Sequence, residues 1–125
     1  MNEGDSPKKV LVFDDSPLVL ALTQVALERE GFRVMTAADL AAFEEARATL
    51  GPDLILVDVQ MPEAFGDDVA GTLRGMRGVK VPILLVSNLE EQELERRAVE
   101  AEVDGWVSKR RGLPELVRRV KEILS

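Results

Sequence analysis

The sequence predicts a doubly wound α/β domain with a five-stranded parallel sheet. Short apolar runs with turn residues on both sides recur along the chain, which is typical of strands that are buried on both faces. These runs alternate with segments of helical periodicity that have good capping residues, and such alternation favours a parallel sheet covered by helices. Several runs also end in a polar or charged residue, at the edge where sheets of this kind bind ligands.

The composition indicates one domain of ordinary size, with 125 residues of which 46% are hydrophobic. No apolar run approaches the roughly 20 residues that a membrane-spanning helix needs. Residues 1–7 are polar and lack the pattern of a signal peptide, so we expect a disordered lead-in before a domain at residues 8–125. These features predict a cytoplasmic protein without membrane association.

Two residue types are missing from the chain, cysteine and histidine. Disulfides and thiolate chemistry are therefore excluded, and the remaining metal ligands are oxygen atoms, which favour Mg²⁺, Ca²⁺ or Mn²⁺ over Zn²⁺ or Cu²⁺. The formal net charge of −7 argues against direct binding of nucleic acid, because that binding depends on the neutralisation of phosphates.

The first predicted strand is Val10–Phe13, and a helix follows it. We expect this helix at Pro17–Glu30, since Ser16 is a good N-cap and Gly31 a good stop. Its apolar stripe is predicted to pack on the sheet. The stripe consists of Leu18, Leu22, Val25 and Ala26.

A second strand is predicted at Phe32–Thr36, and its greater polarity favours an edge position. The next helix is predicted at Leu40–Leu50, with Asp39 as its N-cap and the pair Gly51-Pro52 as its terminator.

The rest of the chain is organised around the segment from Leu54 to Pro62, in which an apolar run delivers one carboxylate, Asp58, to its C-terminal end. Leu54–Val57 is the predicted third strand. Pro62 ends it because proline has no N–H donor, and it favours an extended conformation for Met61. Asp58 is therefore expected on a stiff corner between strand and loop.

A third helix is predicted at Asp67–Arg74, weakened by glycines that each cost about 1 kcal/mol relative to alanine. The fourth strand is predicted at Val81–Val86. Asn88 and Glu91 resemble a capping box for a charged helix that ends near Glu102.

The last predicted elements are a short strand, Gly105–Ser108, and an amphipathic helix. The helix is defined by an apolar stripe, which contains Leu113, Leu116, Val117, Val120, Ile123 and Leu124. Because the sequence stops after this helix, we expect either a free-standing domain or a piece excised from a larger protein.

Polar residues follow four of the five predicted strands. They are Asp14 and Asp15 after the first strand, Asp58 after the third, Ser87 after the fourth and Lys109 after the fifth. In the strand order 2-1-3-4-5, the second strand lies at an edge and the four polar strand ends surround one crevice. Taken singly, each residue is more often a helix cap, a turn former or a solvated surface residue, but their joint placement favours a shared site.

The residue types of this predicted site suit phosphoryl transfer. Three carboxylates a few ångströms apart raise one another's pKa unless a cation is present. Mg²⁺ fits best, because it binds one or two carboxylates and leaves positions for water and phosphate oxygens. Lys109 supplies a positive charge and Ser87 a hydroxyl donor, so a carboxylate nucleophile, a metal and two anion-binding groups are expected together.

With these features the chain resembles the receiver domain of two-component response regulators, as a chemotaxis-regulator-like single domain, from about Lys8 to Leu124. The matching features are the acidic pair, the Asp-x-x-Met-Pro-x-x-x-Gly stretch from Asp58 to Gly66, a Ser or Thr after the fourth strand and a Lys after the fifth. The resemblance implies the flavodoxin-like (βα)5 fold with strand order 2-1-3-4-5. It also implies a regulatory phosphoacceptor domain that promotes its own phosphorylation and slow dephosphorylation, and not an enzyme in the usual sense.

The resemblance further implies which residues accept the phosphoryl group and hold the metal. Asp58 would accept a phosphoryl group from a phosphohistidine on a partner histidine kinase or phosphotransfer protein. Asp15, Asp58 and the backbone carbonyl of Gln60 would hold Mg²⁺, and Asp14 would act through water or through Lys109.

The resemblance also implies how phosphorylation changes the surface. Ser87 and Lys109 would bind the phosphoryl oxygens, and Trp106 occupies the position of the family's switch aromatic. The fourth helix, fifth strand and fifth helix would then present an altered face to a downstream protein target. Trp106 has an equally good interpretation as a core residue, since large aromatics are usually buried for packing.

The sequence departs from the family pattern after the lysine. The family usually has a proline there, often with a cis peptide bond, whereas here Arg110 follows Lys109. A cis bond before a non-proline residue costs about 2.5–4 kcal/mol, so we expect a trans peptide and a rearranged loop. Two further departures are Asn88, in place of a small residue, and Trp106, in place of Tyr or Phe.

Two other classes of function share parts of this pattern. A receiver-like interaction module that signals without phosphorylation is favoured by the altered Lys109-Arg110 loop and by Trp106, and opposed by the complete acidic set. A phosphatase with an aspartyl phosphate intermediate normally has an Asp-x-Asp pattern after its first strand, which Phe13-Asp14-Asp15-Ser16 does not supply. Dinucleotide and P-loop sites are excluded because their glycine motifs do not occur.

Overall fold

The computed structural model describes residues 6–61, 68–71 and 80–125. The strands are β1 (Lys9–Phe13), β2 (Arg33–Ala37), β3 (Leu54–Asp58), β4 (Ile83–Ser87) and β5 (Gly105–Ser108). They form one five-stranded sheet in the order β2-β1-β3-β4-β5. All four strand pairs are parallel, so the predicted fold class and strand order are confirmed.

Helices connect the strands. They are α1 (Pro17–Glu28), α2 (Leu40–Leu50), α3 (residues 68–71), α4 (Glu91–Glu100) and α5 (Leu113–Leu124). Only the helical residues 68–71 of the predicted third helix are described. Three parts of the predictions lie outside the described residues. They are the rest of the predicted third helix, the motif residues Pro62 to Gly66, and most of the predicted lead-in. None of the helices in the described ranges combines the length and apolarity that a bilayer crossing requires.

The beginnings of α1 and α2 and the end of α2 follow the predicted capping residues, whereas α1 ends at Glu28 and not at the predicted Glu30. The Ser16 hydroxyl accepts a hydrogen bond from the N–H of Val19 at 3.3 Å, with Pro17 in the first turn of α1. The Asp39 carboxylate accepts from the N–H of Ala42 at 2.8 Å and begins α2. Gly51 ends α2 with a φ of 61°, a left-handed conformation that favours glycine.

The predicted capping box of the fourth helix is wrong. α4 begins at Glu91, its N-cap is Glu90, and no side chain caps it. Asn88 is not used because the preceding residue already makes the turn: the Ser87 hydroxyl accepts a hydrogen bond from the N–H of Leu89 at 3.1 Å. α4 also ends earlier than expected, since Glu102 has a φ of 59°, which a right-handed helix excludes.

The core has two layers, one on each face of the sheet. Every residue of β3 and β4 is buried, as expected for central strands of a parallel sheet. Alternate strand residues pack against α2 and α4 on one face, where the rings of Phe13 and Phe43 stack with centroids 4.7 Å apart. The others pack against α1 and α5 on the opposite face, so both faces of the sheet are covered.

The predicted apolar stripe of α1 is wrong in its phase. Leu18, Leu22 and Val25 are 68%, 50% and 47% exposed, whereas the buried residues of this helix are Leu20, Thr23 and Leu27. The helix has apolar side chains on two faces, so periodicity alone did not determine which face meets the sheet. The stripe of α5 is confirmed: Leu116 and Val120 are buried, and its other members pack against the same core layer.

Two carboxylates bind the first residues of strands. They lie at the amino edge of the sheet, opposite the carboxyl edge where the site is predicted. Asp53 Oδ2 accepts a hydrogen bond from the N–H of Lys9 at 2.8 Å, where β1 begins. Asp104 Oδ2 accepts from the N–H of Ile83 at 2.8 Å, where β4 begins. These two aspartates therefore have a structural role in the sheet.

Candidate functional site

Three carboxylates meet at the carboxyl edge of the sheet. Asp14 and Asp15 directly follow β1, and Asp58 is the last residue of the neighbouring strand β3. One oxygen from each of the three lies within 4.8 Å of the others, a spacing that a metal ion can bridge. Asp14 and Asp58 are buried and Asp15 is exposed, so the cluster opens to solvent on the side of Asp15.

Asp14 is held on both of its carboxylate oxygens. Oδ1 accepts a hydrogen bond from the N–H of Ser16 at 2.9 Å, and Oδ2 accepts from Lys109 Nζ at 2.7 Å. Its own N–H donates to the carbonyl of Ala37 at 3.1 Å. Asp14 therefore acts as a fixed anchor for Lys109 in the structure.

Lys109 reaches the acidic cluster from the turn after β5. Its Nζ lies 3.4 Å from Asp58 Oδ1 as well as 2.7 Å from Asp14 Oδ2. Burial lowers the pKa of this ammonium group, but the hydrogen bond that it donates to Asp14 and the charges of both aspartates outweigh that effect and raise the pKa above its ordinary value. Lys109 is therefore positively charged at any physiological pH.

The turn that carries Lys109 differs from the family pattern as expected. Lys109–Arg111 forms a 3-10 turn, and no peptide bond in the described ranges is cis. The side chain of Ser108 accepts a hydrogen bond from the N–H of Arg110 at 3.2 Å. Sequence reasoning missed this contact, because Ser108 was considered only as the last residue of a strand.

Asp58 has an unusual protonation equilibrium. Burial, followed by the negative charge of Asp14, raises its pKa from 3.8 to about 6, although the charge of Lys109 and the N–H of Gln60 act in the opposite direction. A cation close to this carboxylate would favour its ionised form. The electrostatics of the site thus favour binding of a positively charged partner.

Both described contacts of Asp58 are made by one oxygen. Oδ1 faces Lys109 Nζ and also accepts from the N–H of Gln60 at 3.4 Å. The second oxygen, Oδ2, has no contact among those described for this residue.

Ser87 and Trp106 lie on the neighbouring strands β4 and β5. Ser87 is fully buried, and its hydroxyl donates to Gln60 Oε1 at 3.5 Å while accepting from Leu89. Trp106 pairs with Leu85 across β4 and β5 and is partly buried against the core layer under α2 and α4. Trp106 therefore has a packing role, whatever else it does.

The donor set fits a hard divalent cation. All three cluster ligands are carboxylate oxygens, which magnesium and calcium prefer. Asp15 and Asp58 are the more available pair, since both oxygens of Asp14 are already engaged by Ser16 and Lys109.

An apolar groove between α1 and α5 runs up to the site. Its volume is about 190 Å³ and its side chains are mostly aliphatic. They include Val19 and Leu22 from α1, Leu113 and Leu116 from α5, and Lys109 at the end nearest Asp58. Leu22 is half exposed at its rim, next to the exposed Leu18 and Val25.

Comparisons with known proteins agree on one family. The family model described as the response regulator receiver domain matches residues 10–121. The transcriptional regulatory protein PrrA of Mycobacterium tuberculosis is 36% identical over 124 residues, which cover 99% of this chain and 53% of PrrA. The alkaline phosphatase synthesis transcriptional regulatory protein PhoP of Bacillus subtilis is 35% identical over 117 residues, 94% of this chain and 48% of PhoP. The chain thus spans about half the length of these relatives.

Solved structures give the same result. The chemotaxis protein CheY4 of Vibrio cholerae superposes with a TM-score of 0.84 at 25% identity, covering 94% of this chain and 98% of that chain. The BeF3-activated N-terminal receiver domain of Klebsiella pneumoniae RstA also gives a TM-score of 0.84 at 25% identity, with the same coverage of 94% and 98%.

Proposed function

Because the chain belongs to the response regulator receiver domain family, we propose that it is a signalling switch in which Asp58 accepts a phosphoryl group from a phosphohistidine of a histidine kinase or phosphotransfer protein. The observation that carries this proposal is the placement of Asp58 Oδ1 at 3.4 Å from Lys109 Nζ, within a cluster of three carboxylates that a cation can bridge. A buried carboxylate with these neighbours is suited to act as a nucleophile.

In the proposed reaction, a carboxylate oxygen of Asp58 attacks phosphorus and forms a P–O bond. The P–N bond of the phosphohistidine breaks, and its electron pair stays on the imidazole nitrogen of the partner. Lys109 faces the phosphoryl oxygens with a positive charge, which stabilises the negative charge gathered there in the transition state. The domain supplies these groups to its own phosphorylation and slow dephosphorylation and remains a regulatory protein.

Asp15 and Asp58, together with the backbone carbonyl of Gln60, would hold Mg²⁺. When bound, this ion would neutralise part of the negative charge on the phosphoryl group that is transferred. The oxygen-only donor set and the exposure of Asp15 support this assignment. The proposed role of Asp14 is to position Lys109, whose Nζ donates a hydrogen bond to Asp14 Oδ2 at 2.7 Å.

The proposed response to phosphorylation begins at Ser87. Its hydroxyl contact to Gln60 Oε1 is long, at 3.5 Å, so a phosphoryl oxygen on Asp58 competes with it easily. Movement of Ser87 would then change the packing of Trp106 and the face formed by α4, β5 and α5. α4 is a plausible moving element because only Leu94 and Ala98 of this helix are buried.

The exposed apolar residues of α1 are the proposed docking site of the phosphodonor. Leu18, Leu22 and Val25 are spaced along one face of the helix that begins directly after the acidic pair. A partner that brings a phosphohistidine to Asp58 has to cover this end of the molecule. Its apolar side chains would then bury these three exposed residues.

The place of action is proposed from the same features. A histidine kinase as donor, a net charge of −7 and the absence of a membrane-crossing helix among the described residues fit a protein of the cytoplasm that binds proteins and not nucleic acid. The alternative of a module that signals without phosphorylation was favoured by the altered Lys109-Arg110 loop and by Trp106, but Lys109 contacts both aspartates despite the altered loop.

The test is the intact mass of the protein after incubation with acetyl phosphate, with and without Mg²⁺. We expect one phosphoryl adduct that requires Mg²⁺ and disappears in Asp58→Asn. Asp53→Asn is the matched control, because Asp53 is a carboxylate with a structural partner at the opposite edge of the sheet. This variant should form the adduct as the parent does.

An adduct that persists in Asp58→Asn would contradict the assignment of Asp58. A folded parent that forms no adduct with acetyl phosphate or with a panel of phosphorylated histidine kinases would contradict phosphoacceptor function itself.

A further inference from the structure

We propose that Ser108 is a positioning residue for Lys109: its buried hydroxyl oxygen holds the turn from which Lys109 reaches Asp14 and Asp58. The inference deepens the proposed function and depends on it for one of its two readouts. The other readout reports the position of Lys109 directly.

Ser108 stands where the last strand passes into the turn. It is 1% exposed and has an extended backbone, with φ −79° and ψ 129°. Its Oγ accepts the N–H of Arg110 at 3.2 Å, and the N–H of Gly112 donates to the carbonyl of Lys109 at 3.2 Å. The two bonds together define the path of the chain through Lys109.

This path matters because lysine is a long side chain with many rotamers. Its ammonium group contacts two carboxylates that stand on different strands, at 2.7 Å and 3.4 Å. A fixed position of the Lys109 Cα relative to the sheet favours the rotamers that keep both contacts. The hydrogen bond joins Ser108, the residue before Lys109, to Arg110, the residue after it. It therefore restricts the backbone on both sides of Lys109.

The inference also accounts for the departure from the family pattern at position 110. The hydrogen bond uses the backbone N–H of Arg110, which a proline would not have. In this chain the residue after the lysine donates, and Ser108 accepts. Ser108 and the N–H at position 110 are therefore a matched pair that keeps Lys109 at the acidic cluster with a trans backbone.

Three variants separate this role from a general effect. Ser108→Ala removes the acceptor, and Ser108→Thr keeps a hydroxyl at the same position. Arg110→Ala is the control, because it removes an exposed side chain but keeps the N–H that Ser108 binds. If the alanine variant does not fold by circular dichroism, Ser108→Cys gives the same comparison, since sulfur is a weak acceptor.

The first readout is the NMR signal of the Lys109 ammonium group in a ¹H–¹⁵N spectrum, assigned by its loss in Lys109→Ala. Ammonium protons bonded to buried carboxylates exchange slowly with water. We expect the signal in the parent, in Ser108→Thr and in Arg110→Ala, and its loss in Ser108→Ala.

The second readout is the fluorescence change of Trp106, the one tryptophan of the chain, on addition of acetyl phosphate and Mg²⁺. In Ser108→Ala, the acetyl phosphate concentration that gives half of the full fluorescence change should rise about fivefold. A factor of this size corresponds to the loss of one hydrogen bond. The double variant Ser108→Ala with Lys109→Ala should form as much phosphoryl adduct by intact mass as Lys109→Ala alone, because Ser108 acts through Lys109.

An unchanged Lys109 signal in Ser108→Ala overturns the inference, as does a double variant that forms less phosphoryl adduct than Lys109→Ala alone. If the parent forms no phosphoryl adduct, the proposed function fails, and the ammonium signal still decides the role of Ser108.

Discussion

Lys109 Nζ lies 2.7 Å from Asp14 Oδ2, although the two residues are 95 positions apart in the chain. The contact crosses the carboxyl edge of the sheet from the turn after β5 to the end of β1, over β3 and β4. Because Asp14 is itself fixed by the N–H of Ser16, it holds the ammonium group beside Asp58. The Lys109 ammonium group thus balances the charge of the two buried carboxylates, one of which, Asp58, is the proposed phosphoryl acceptor.

Replacing Lys109 by alanine should separate phosphorylation from its response. We expect Lys109→Ala to retain some phosphoryl adduct, since the three carboxylates that could hold a metal are untouched. The Trp106 fluorescence change should be lost, because no cation then links the phosphoryl oxygens to β5. Intact mass and fluorescence, measured on the same sample, give the two quantities.

Lys8→Ala is the control for this variant, since Lys8 is an exposed lysine just before β1, away from the carboxyl edge. It should keep both the adduct and the fluorescence change. A full fluorescence change in phosphorylated Lys109→Ala would contradict the role given to this residue.

The stability of the fold should depend on the charge of Asp58. Its pKa is raised from 3.8 to about 6, so the folded state binds this proton more tightly than the unfolded chain does. Its contribution favours the fold fully below pH 4 and is lost as pH rises to about 6, which amounts to roughly 2–3 kcal/mol. In metal-free buffer, Asp58→Asn should therefore be more stable than the parent at pH 7.5 and similar to it at pH 3.8.

Urea unfolding at several pH values measures this difference. Asp53→Asn should show no gain at pH 7.5, because Asp53 accepts a hydrogen bond from the N–H of Lys9 and its charge has a partner. Equal stability of the parent and Asp58→Asn at both pH values would show that the buried charge is compensated by its neighbours.

Much of the fold and of the site was predictable from the sequence, because both depend on where apolar runs end. Strands buried on both faces need continuous apolar segments, and the residue after each segment must emerge at one edge. This reasoning places Asp14, Asp58 and Lys109 at the carboxyl ends of three strands, on one edge of the sheet, before any coordinates are known, and the structure puts Lys109 within contact distance of both aspartates.

The remaining features depend on atoms that periodicity does not describe. α1 has apolar residues on two faces, so the phase that buries Leu20 and Leu27 and exposes Leu22 follows from packing and not from pattern. The contact of Ser108 with Arg110 depends on the three-dimensional course of one turn. Asn88 had the residue type of a cap, but Ser87 makes the bond that closes that turn.

The ion pair between Arg111 and Glu91 should tie α4 to the turn that carries Lys109. The guanidinium contacts both carboxylate oxygens, at 2.6 Å and 2.8 Å, and both side chains are exposed. Arg111→Ala should therefore change the stability of the whole domain little, because the pair is exposed to solvent, but it should increase hydrogen exchange in the first turn of α4. Exchanging the two residues, Glu91→Arg with Arg111→Glu, should restore protection, and about 1 M salt should remove the difference.

Arg118→Ala is the matched control for Arg111→Ala. Arg118 pairs with Glu115 and Glu122 within α5, so its loss breaks ion pairs without releasing α4. Increased exchange in α4 of Arg118→Ala, or none in Arg111→Ala, would argue against a link through Arg111.

The exposed face of α1 should control phosphotransfer from a kinase but not from a small donor. Leu22 is 50% exposed and lies at the rim of the groove that ends at Lys109, so Leu22→Asp leaves the core intact and puts a charge where a partner would bury an apolar side chain. We expect transfer from a phosphorylated kinase to slow about tenfold or more, at a typical cost of 1–2 kcal/mol for a buried contact residue, while labelling by acetyl phosphate is unchanged. Val99→Asp is the control, because Val99 is 72% exposed on α4. Equal slowing by both variants would show that general surface charge, and not the face of α1, determines the rate.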